Sequence, residues 1–222
     1  MTDHPHVPYA PERLSEAEMA RRAADFEERM DRRRSVRFFR DDPVPRSLVE
    51  AAVRTASTAP SGAHRQPWTF VLVSDPSLKK EIRIAAEAEE HRSYEGGRMP
   101  GEWRKALEPI GTSWRKPYLE TAPWLAVLFA QQHGWNPDGT RRKNYYVSES
   151  CGIAAGLFIA ALHNMGLSTL THTPSPMAFL RDILGRPREE KPFVLFPIGY
   201  PSEDCTVPDL SRKPLSEVSV FL

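Results

Sequence analysis

The chain has 222 residues, with 30 Lys or Arg against 29 Asp or Glu, so its formal net charge is only +1. This length predicts one main domain with a single hydrophobic core, and the balanced charge argues against a nucleic-acid partner. The two distant cysteines, Cys151 and Cys205, indicate neither a disulfide framework nor a zinc site, so no metal is expected. Without a bilayer-length apolar run or a signal-peptide core, a cytoplasmic location is predicted.

Helices and strands are predicted in mixed order along the chain. The first helix is expected over 15–32, where Ser15 and Glu18 form a capping box. Apolar periodicity predicts further helices at 46–57, 77–94 and 145–164, the last of which is rich in small residues. Extended structure is expected at 35–39, and strands at 68–73, 123–130, 167–171 and 193–198. These patterns alone leave the class open between α+β and α/β.

Two segments carry no clear periodicity. Residues 91–101 contain Gly96, Gly97, Pro100 and Gly101 and few apolar side chains, so burial alone is not expected to order them. The tail from Pro201 onward is rich in proline, which predicts either disorder or a course across another surface, such as a second subunit. The small residues of the predicted helix 145–164 make it a candidate for a central or subunit-interface helix.

Phosphate-binding loops are absent, because neither GxGxxG nor GxxxxGK[ST] occurs, and HExxH and GxSxG are missing as well. Arg33, Arg34 and Arg37, with Ser35 among them, have the donors needed to hold a phosphate through side chains. A solvated basic helix end is the alternative, and composition alone favours it. Similarly, the turn Pro60-Ser61-Gly62-Ala63-His64 allows close backbone approach to a flat ligand, or is simply a turn.

Taken together, three motifs are specific. They are Arg33-Arg34-Ser35-Val36-Arg37, Thr58-Ala59-Pro60-Ser61-Gly62-Ala63-His64 and Pro197-Ile198-Gly199-Tyr200-Pro201. From about residue 30 to 215 the chain resembles the nitroreductase superfamily and, within it, the iodotyrosine deiodinases. The resemblance implies an α+β, nitroreductase-like fold with a central mixed sheet flanked by helices, in an intertwined homodimer that binds FMN between its subunits.

The same resemblance implies an organisation along the chain. Residues 1–30 form a leader and first helix, and residues 31–222 form the FMN-binding domain. Within that domain, a substrate lid is expected at about 88–116 and a tail that wraps the partner subunit at about 201–222. The membrane anchor of the animal deiodinases has no counterpart, so no membrane association is expected.

Site residues follow from the resemblance, position by position. Thr173 is expected as the catalytic hydroxyl beside flavin N5, and the amide of Ala63 is expected to hold the phenolate oxygen of the substrate. The cofactor-binding residues implied are Arg33, Arg34, Ser35, Val36, Arg37, Pro60, Ser61, Thr171, His172, Thr173 and Arg212.

Glu90, Tyr94 and Lys116 match the deiodinase residues that hold the amino-acid end of the substrate. Glu90 and Tyr94 are four apart, so they share one face of a helix. A zwitterion needs an anion for its ammonium group and a cation for its carboxylate, and Glu90 and Lys116 supply one of each.

The predicted function is therefore FMN-dependent reductive dehalogenation of halogenated tyrosines, converting iodotyrosine to tyrosine and iodide. One alternative is an FMN-dependent NAD(P)H nitroreductase, which shares the arginines but gives Glu90, Tyr94 and Lys116 no role. Another is a non-catalytic protein that binds flavin or halotyrosine, since one fold hosts many activities. The electron donor is left open between NADPH and a separate reductase.

Overall fold

The computed structural model describes residues 4–222, which divide into two compact units with the boundary between Arg33 and Arg34. The first unit contains α1, Glu16–Asp31. The hydroxyl of Ser15 accepts a hydrogen bond of 3.3 Å from the Glu18 amide, which confirms the predicted N-cap. No α1 residue is buried, and its polar face carries ion pairs such as Arg22 with Glu18.

The second unit is built on an antiparallel four-stranded sheet. Its strands pair in the order β1-β2-β6-β5, and β3 and β4 form a separate hairpin. The strands are β1 Trp68–Val73, β2 Trp124–Gln131, β3 His133–Trp135, β4 Arg141–Lys143, β5 Ser168–Thr169 and β6 Glu190–Gly199.

Helices cover both faces of this sheet, and they bury both sides of its central strand β2. Ala126 and Leu128 pack with α2 and α6, whereas Leu125, Val127 and Phe129 pack with α3, α5 and α7. This alternation is the two-residue period of a strand. The helices of this unit are α2 Arg46–Ala56, α3 Pro76–Tyr94, α4 Gly101–Leu107, α5 Tyr118–Thr121, α6 Val147–Asn164, α7 Ala178–Ile183 and α8 Leu215–Val218.

The predicted extended stretch 35–39 is confirmed, and it makes the sheet mixed. Ser35 forms a parallel bridge with Thr169 of β5, and Phe39 forms an antiparallel bridge with Pro201 at the start of the tail. Val36 and Phe39 are buried in the core, so the side chains between them face away from it. The segment therefore joins β5 to the tail.

Some predicted bounds were wrong, for local reasons. The strand expected at 167–171 is only two residues long, and its pairing with β6 resumes at the isolated bridge between His172 and Leu195. Helix α6 begins at Val147 because Tyr146 has a φ of 48°, outside the helical region. The sequence also did not predict α4, α7 or the β3–β4 hairpin, which are too short to show a period.

The segment 91–101 is more regular than its composition predicts. Helix α3 continues to Tyr94, α4 begins at Gly101, and the turn between them contains a hydrogen bond of 3.1 Å from the Met99 amide to the Ser93 carbonyl. Polar bonds therefore replace apolar burial in this turn. None of the helices in residues 4–222 is both long and apolar enough to cross a membrane.

His172 is a buried polar residue in the middle of this architecture. Its backbone exchanges hydrogen bonds of 2.8 and 3.0 Å with Leu195, and only 4% of the residue is exposed. Its ring Nδ1 lies 3.5 Å from the hydroxyl of Tyr118. Burial, reinforced by the positive charges of Lys116 and Arg37, lowers the pKa of His172 to about 3. The imidazole is therefore neutral in the folded protein.

A buried neutral histidine makes stability depend on pH. Between pH 6.5 and 3 the unfolded chain binds a proton at this residue and the folded chain does not, which costs about 1.4 kcal/mol per pH unit as the pH falls. We expect the free energy of unfolding of His172→Gln to lack this part of the pH dependence. The measurement is urea unfolding of both proteins at several values between about pH 7 and pH 5. Parallel pH dependences would show that His172 is not buried in its neutral form.

Candidate functional site

A cavity of about 360 Å³ lies between α3, α4 and the segment that follows β5. Four elements supply its polar wall: the extended stretch with Arg37, helix α3, the segment before α5, and residues 170–176. The predicted site residues that line it are Arg37, Glu90, Tyr94, Lys116, Thr171, His172 and Thr173. The fold thus brings together residues that are up to 136 positions apart (from Arg37 to Thr173) in the sequence.

Glu90 and Lys116 form a buried pair of opposite charges within this cavity. Their Oε2 and Nζ atoms are 3.7 Å apart, with side-chain exposures of 14% and 4%. The Lys116 ammonium also donates to Thr112 Oγ1 at 3.2 Å and to the Ser113 carbonyl at 2.5 Å. It lies 5.7 Å from the centre of the Tyr94 ring, a cation–π distance.

Burial shifts both partners of this pair toward their neutral forms. It raises the pKa of the Glu90 carboxyl, although the nearby Lys116 opposes the shift. It lowers the pKa of the Lys116 ammonium, which Glu90 opposes and Arg37 reinforces. The mutual attraction therefore only partly offsets the loss of hydration. A ligand that brings an opposite charge close to either group would stabilise the ionised form of that group.

Thr171 and Thr173 line the cavity, on a segment whose exposed and buried residues alternate. His172 and Pro174 point into the protein, and the two threonines are exposed. This is the alternation of an extended chain. The His172 ring faces Tyr118, so the residue anchors the segment from inside while its neighbours are exposed at the cavity.

The extended segment that carries Ser35 and Arg37 lines a second cavity of about 300 Å³. Arg37 belongs to the walls of both cavities, and Ser35 lines the second one together with residues 206–208 of the tail. Arg34 Nη2 donates to the Pro208 carbonyl, which ties the segment to the tail. No carboxylate lines this second cavity within the part of the chain that the structure describes. Val36 is buried, so only its backbone can face a ligand.

The remaining predicted residues do not line either cavity. Arg33 ends the first unit, and Arg212 is an exposed residue of the tail. Pro60, Ser61 and Ala63 lie in the loop before β1.

This loop is strained and closely packed against the start of α6. Ala63, His64 and Gln66 all have φ near +50°, a region that costs energy for residues other than glycine. Gly62 is required, because a Cβ there would stand 2.6 Å from the carbonyl oxygen of Tyr145. Its amide faces the Ser150 hydroxyl at 3.4 Å. Strain of this kind concentrates at functional sites, which favours a binding role for the loop.

Several cavity residues were missed by sequence reasoning. Met99 and Trp103 supply apolar surface, Thr112 binds the Lys116 ammonium, and Tyr118 contacts His172. Burial raises the pKa of the Tyr118 hydroxyl, so this group stays protonated. Among these residues, Tyr118 stands directly after Lys116-Pro117 in the sequence. Over residues 4–222, no group of three or more His, Cys, Asp or Glu side chains is arranged to hold a metal ion.

Comparison with known proteins identifies the family. Residues 30–200 match the model of the nitroreductase family. The chain is 55% identical to an iodotyrosine deiodinase of Haliscomenobacter hydrossis over 96% of both chains, and 46% identical to human iodotyrosine deiodinase 1 over 97% of this chain and 74% of that protein.

Solved structures agree with this assignment. A crystal structure of oxidized iodotyrosine deiodinase bound to FMN and 3-iodo-L-tyrosine superimposes with a TM-score of 0.77 at 28% identity, over 88% of this chain and all of that one. An FMN-bound nitroreductase from Bacteroides fragilis, at 19% identity and a TM-score of 0.66, shares the fold. The chain therefore belongs to the nitroreductase family and, within it, to the iodotyrosine deiodinases.

Proposed function

We propose that this protein is an FMN-dependent reductive dehalogenase that converts halogenated tyrosines to tyrosine and halide. The observation that carries the proposal is the buried Glu90–Lys116 pair, which shares one cavity with Thr171 and Thr173. A nitroreductase acting on simple nitroaromatics has no use for two buried opposite charges. The deiodinase relatives, one of which is described with FMN and 3-iodo-L-tyrosine bound, support the same substrate class.

The residues around the two cavities fit FMN. A phosphate requires fixed cationic donors, and Arg34, Ser35 and Arg37 stand on one extended segment beside a cavity whose described lining has no carboxylate. We assign Arg33 and Arg212 to the same phosphate, and the backbone of Val36 and the residues Thr171 and His172 to the flavin. Thr173 is assigned as the hydroxyl donor to the isoalloxazine ring.

We assign Glu90 to the substrate ammonium and Lys116 to the substrate carboxylate. In the structure the charges of these two residues face each other across 3.7 Å. A zwitterion offers each of them a new opposite charge, so binding replaces one buried pair with two. Tyr94 adds a hydroxyl and an aromatic face to the same wall. Residues 88–116 form the lid in this assignment, closing the substrate away from water.

Replacing the halogen with hydrogen consumes two electrons and one proton and releases a halide ion. FMN, when bound, supplies the electrons. The protein holds the phenol in one orientation, with the Ala63 amide as the donor to its phenolate oxygen, which stabilises negative charge on the ring. The electron donor that reduces the flavin is NADPH or a separate reductase, and we place the reaction in the cytoplasm.

A second copy of the chain completes the site in this proposal. Pro60, Ser61 and Ala63 lie beside the start of α6 and do not line the cavity of their own chain. The exposed face of α6 carries Ile153, which is 46% exposed, between small residues that allow close helix approach. Pairing through α6 would bring the loop of one chain to the cavity of the other, and the tail would wrap the partner.

The activity itself is tested by anaerobic mixing of the reduced, FMN-loaded protein with 3,5-diiodotyrosine. We expect flavin oxidation and iodide release to proceed together, with tyrosine as the final product. Flavin absorbance and an iodide electrode measure the two quantities. Rapid oxidation by a nitroaromatic without iodide release would favour a nitroreductase, and bound flavin with neither reaction would favour a binding protein.

The charge pair is tested by Lys116→Met. Removing the cation leaves Glu90 buried without a partner, so we expect 3-iodotyrosine to bind about 100-fold more weakly, equal to about 3 kcal/mol. FMN affinity is expected to stay unchanged. Titration of flavin fluorescence measures both affinities, and Arg115→Met, an exposed cation next in sequence, is the matched control. Equal effects of the two substitutions on 3-iodotyrosine affinity would show that Lys116 does not bind the substrate.

The dimer is tested by Ile153→Asp on the exposed face of α6. We expect the wild type to have twice the 25.2 kDa chain mass in solution and the variant to lose both dimer and FMN affinity, because a buried charge opposes association. Sedimentation gives the mass, and Ile84→Asp on α3, where isoleucine is 54% exposed, is the control. A monomeric wild type that binds FMN tightly would contradict the shared site.

A further inference from the structure

Helix α3 carries a row of charged residues that binds the segment leading from Lys116 into α5. Lys79, Arg83 and Glu87 are four residues apart and so share one face of the helix. Lys79 Nζ donates to the carbonyl oxygens of Glu120 and Ala122 at 3.0 and 2.8 Å. Arg83 Nε donates to the Glu120 carboxylate at 2.6 Å.

Glu87 is the member of this row that reaches Lys116 itself. Its Oε1 atom accepts a hydrogen bond of 2.7 Å from the Lys116 backbone amide, and its Oε2 atom accepts one of 2.9 Å from Arg83 Nη1. The side chains of Glu87 and Arg83 are only 16% and 27% exposed. A carboxylate bound to an amide is a charge-assisted bond, stronger than a neutral one, and Arg83 fixes the rotamer of its acceptor.

The next turn of the same helix carries Glu90 and Tyr94 into the cavity. One rigid helix therefore determines the position of both charges: it carries Glu90 directly, and it holds the backbone of Lys116 through Glu87. Beyond Glu87, the Lys116 backbone is held by the first hydrogen bond of α5, from the Leu119 amide to the Lys116 carbonyl at 3.0 Å. The segment 111–116 otherwise has no regular structure.

We propose that Glu87 is a positioning residue, which sets the distance between the ammonium-binding and carboxylate-binding groups by holding the backbone of Lys116. The assignment rests on the proposed function, since it concerns how that substrate is gripped. Glu87 has no place in the cavity wall, so its effect on the substrate passes through Lys116. Its loss impairs the recognition of the carboxylate and leaves the flavin and the reacting bond unaffected.

The test compares Glu87→Ala with Glu87→Gln, whose amide oxygen still accepts the Lys116 bond. We expect Glu87→Ala to raise KM for 3-iodotyrosine about tenfold with kcat within about twofold, the pattern of lost binding. Glu87→Gln is expected to stay within about threefold of the wild-type KM. Glu81→Ala, an exposed carboxylate on the same helix, is the matched control.

A second ligand separates positioning from general destabilisation. 3-Iodotyramine lacks the carboxylate, so its binding to the wild type and to Glu87→Ala is expected to be equal. Equal losses for both ligands, or an unchanged KM for 3-iodotyrosine, would overturn the role of Glu87. If Glu87→Ala does not fold, Glu87→Met, which keeps the side-chain volume but cannot accept the Lys116 bond, takes its place: a rise in KM confined to 3-iodotyrosine supports the role, and its absence overturns it.

The outcome also separates this role from the proposed function. A wild type that neither binds nor dehalogenates 3-iodotyrosine overturns both. An active wild type with a Glu87→Ala variant that is indistinguishable from it overturns only the positioning role of Glu87.

Discussion

The buried contact between Glu90 and Lys116 is the constraint on which the site depends. The two side chains are only 4% and 14% exposed, so both charges lose hydration, and their attraction across 3.7 Å offsets only part of that loss. The raised pKa of Glu90 and the lowered pKa of Lys116 indicate this balance. Such a pair is a poor device for stability, since apolar residues of the same volume serve a core as well or better. In the proposed function the pair serves the ligand, because a zwitterion would supply each charge with a second partner.

The surrounding fold holds the two charges and the groups assigned to the flavin in fixed positions relative to each other. Helix α3 carries Glu90 and contacts the Lys116 backbone through Glu87, so one rigid element positions both charges of the pair. The buried ring of His172 anchors the extended segment whose flanking threonines face the cavity, and the pairing of His172 with β6 ties that segment to the central sheet. Of the cavity walls, α3 is regular secondary structure, whereas the segment before α5 and residues 170–176 are irregular and are held by their bonds to α3 and β6.

Much of this organisation was predictable from the sequence, and the failures have physical causes. The strand at 68–73 has the predicted bounds, because its β-branched and aromatic residues favour extended structure, and the helix ending at Tyr94 begins one residue before its predicted start. Glu90 and Tyr94 could be placed on one helix face from spacing alone. Glu87 could not be assigned a role, because its partner Lys116 becomes a neighbour only when the segment before α5 packs on α3. Thr112 could not be assigned one either, because the irregular segment that brings its hydroxyl to Lys116 Nζ shows no periodic pattern. The order of the turn between α3 and α4 was also not predicted, because polar bonds rather than apolar burial stabilise it.

The orientation of the bound substrate tests this account most directly. A crystal structure of the FMN-loaded protein with 3-iodotyrosine should place the ligand ammonium within hydrogen-bond distance of the Glu90 carboxylate and the ligand carboxylate within that distance of Lys116 Nζ, with the two protein charges drawn apart. A ligand whose ammonium and carboxylate point away from both residues, with the Glu90–Lys116 contact intact, would contradict it.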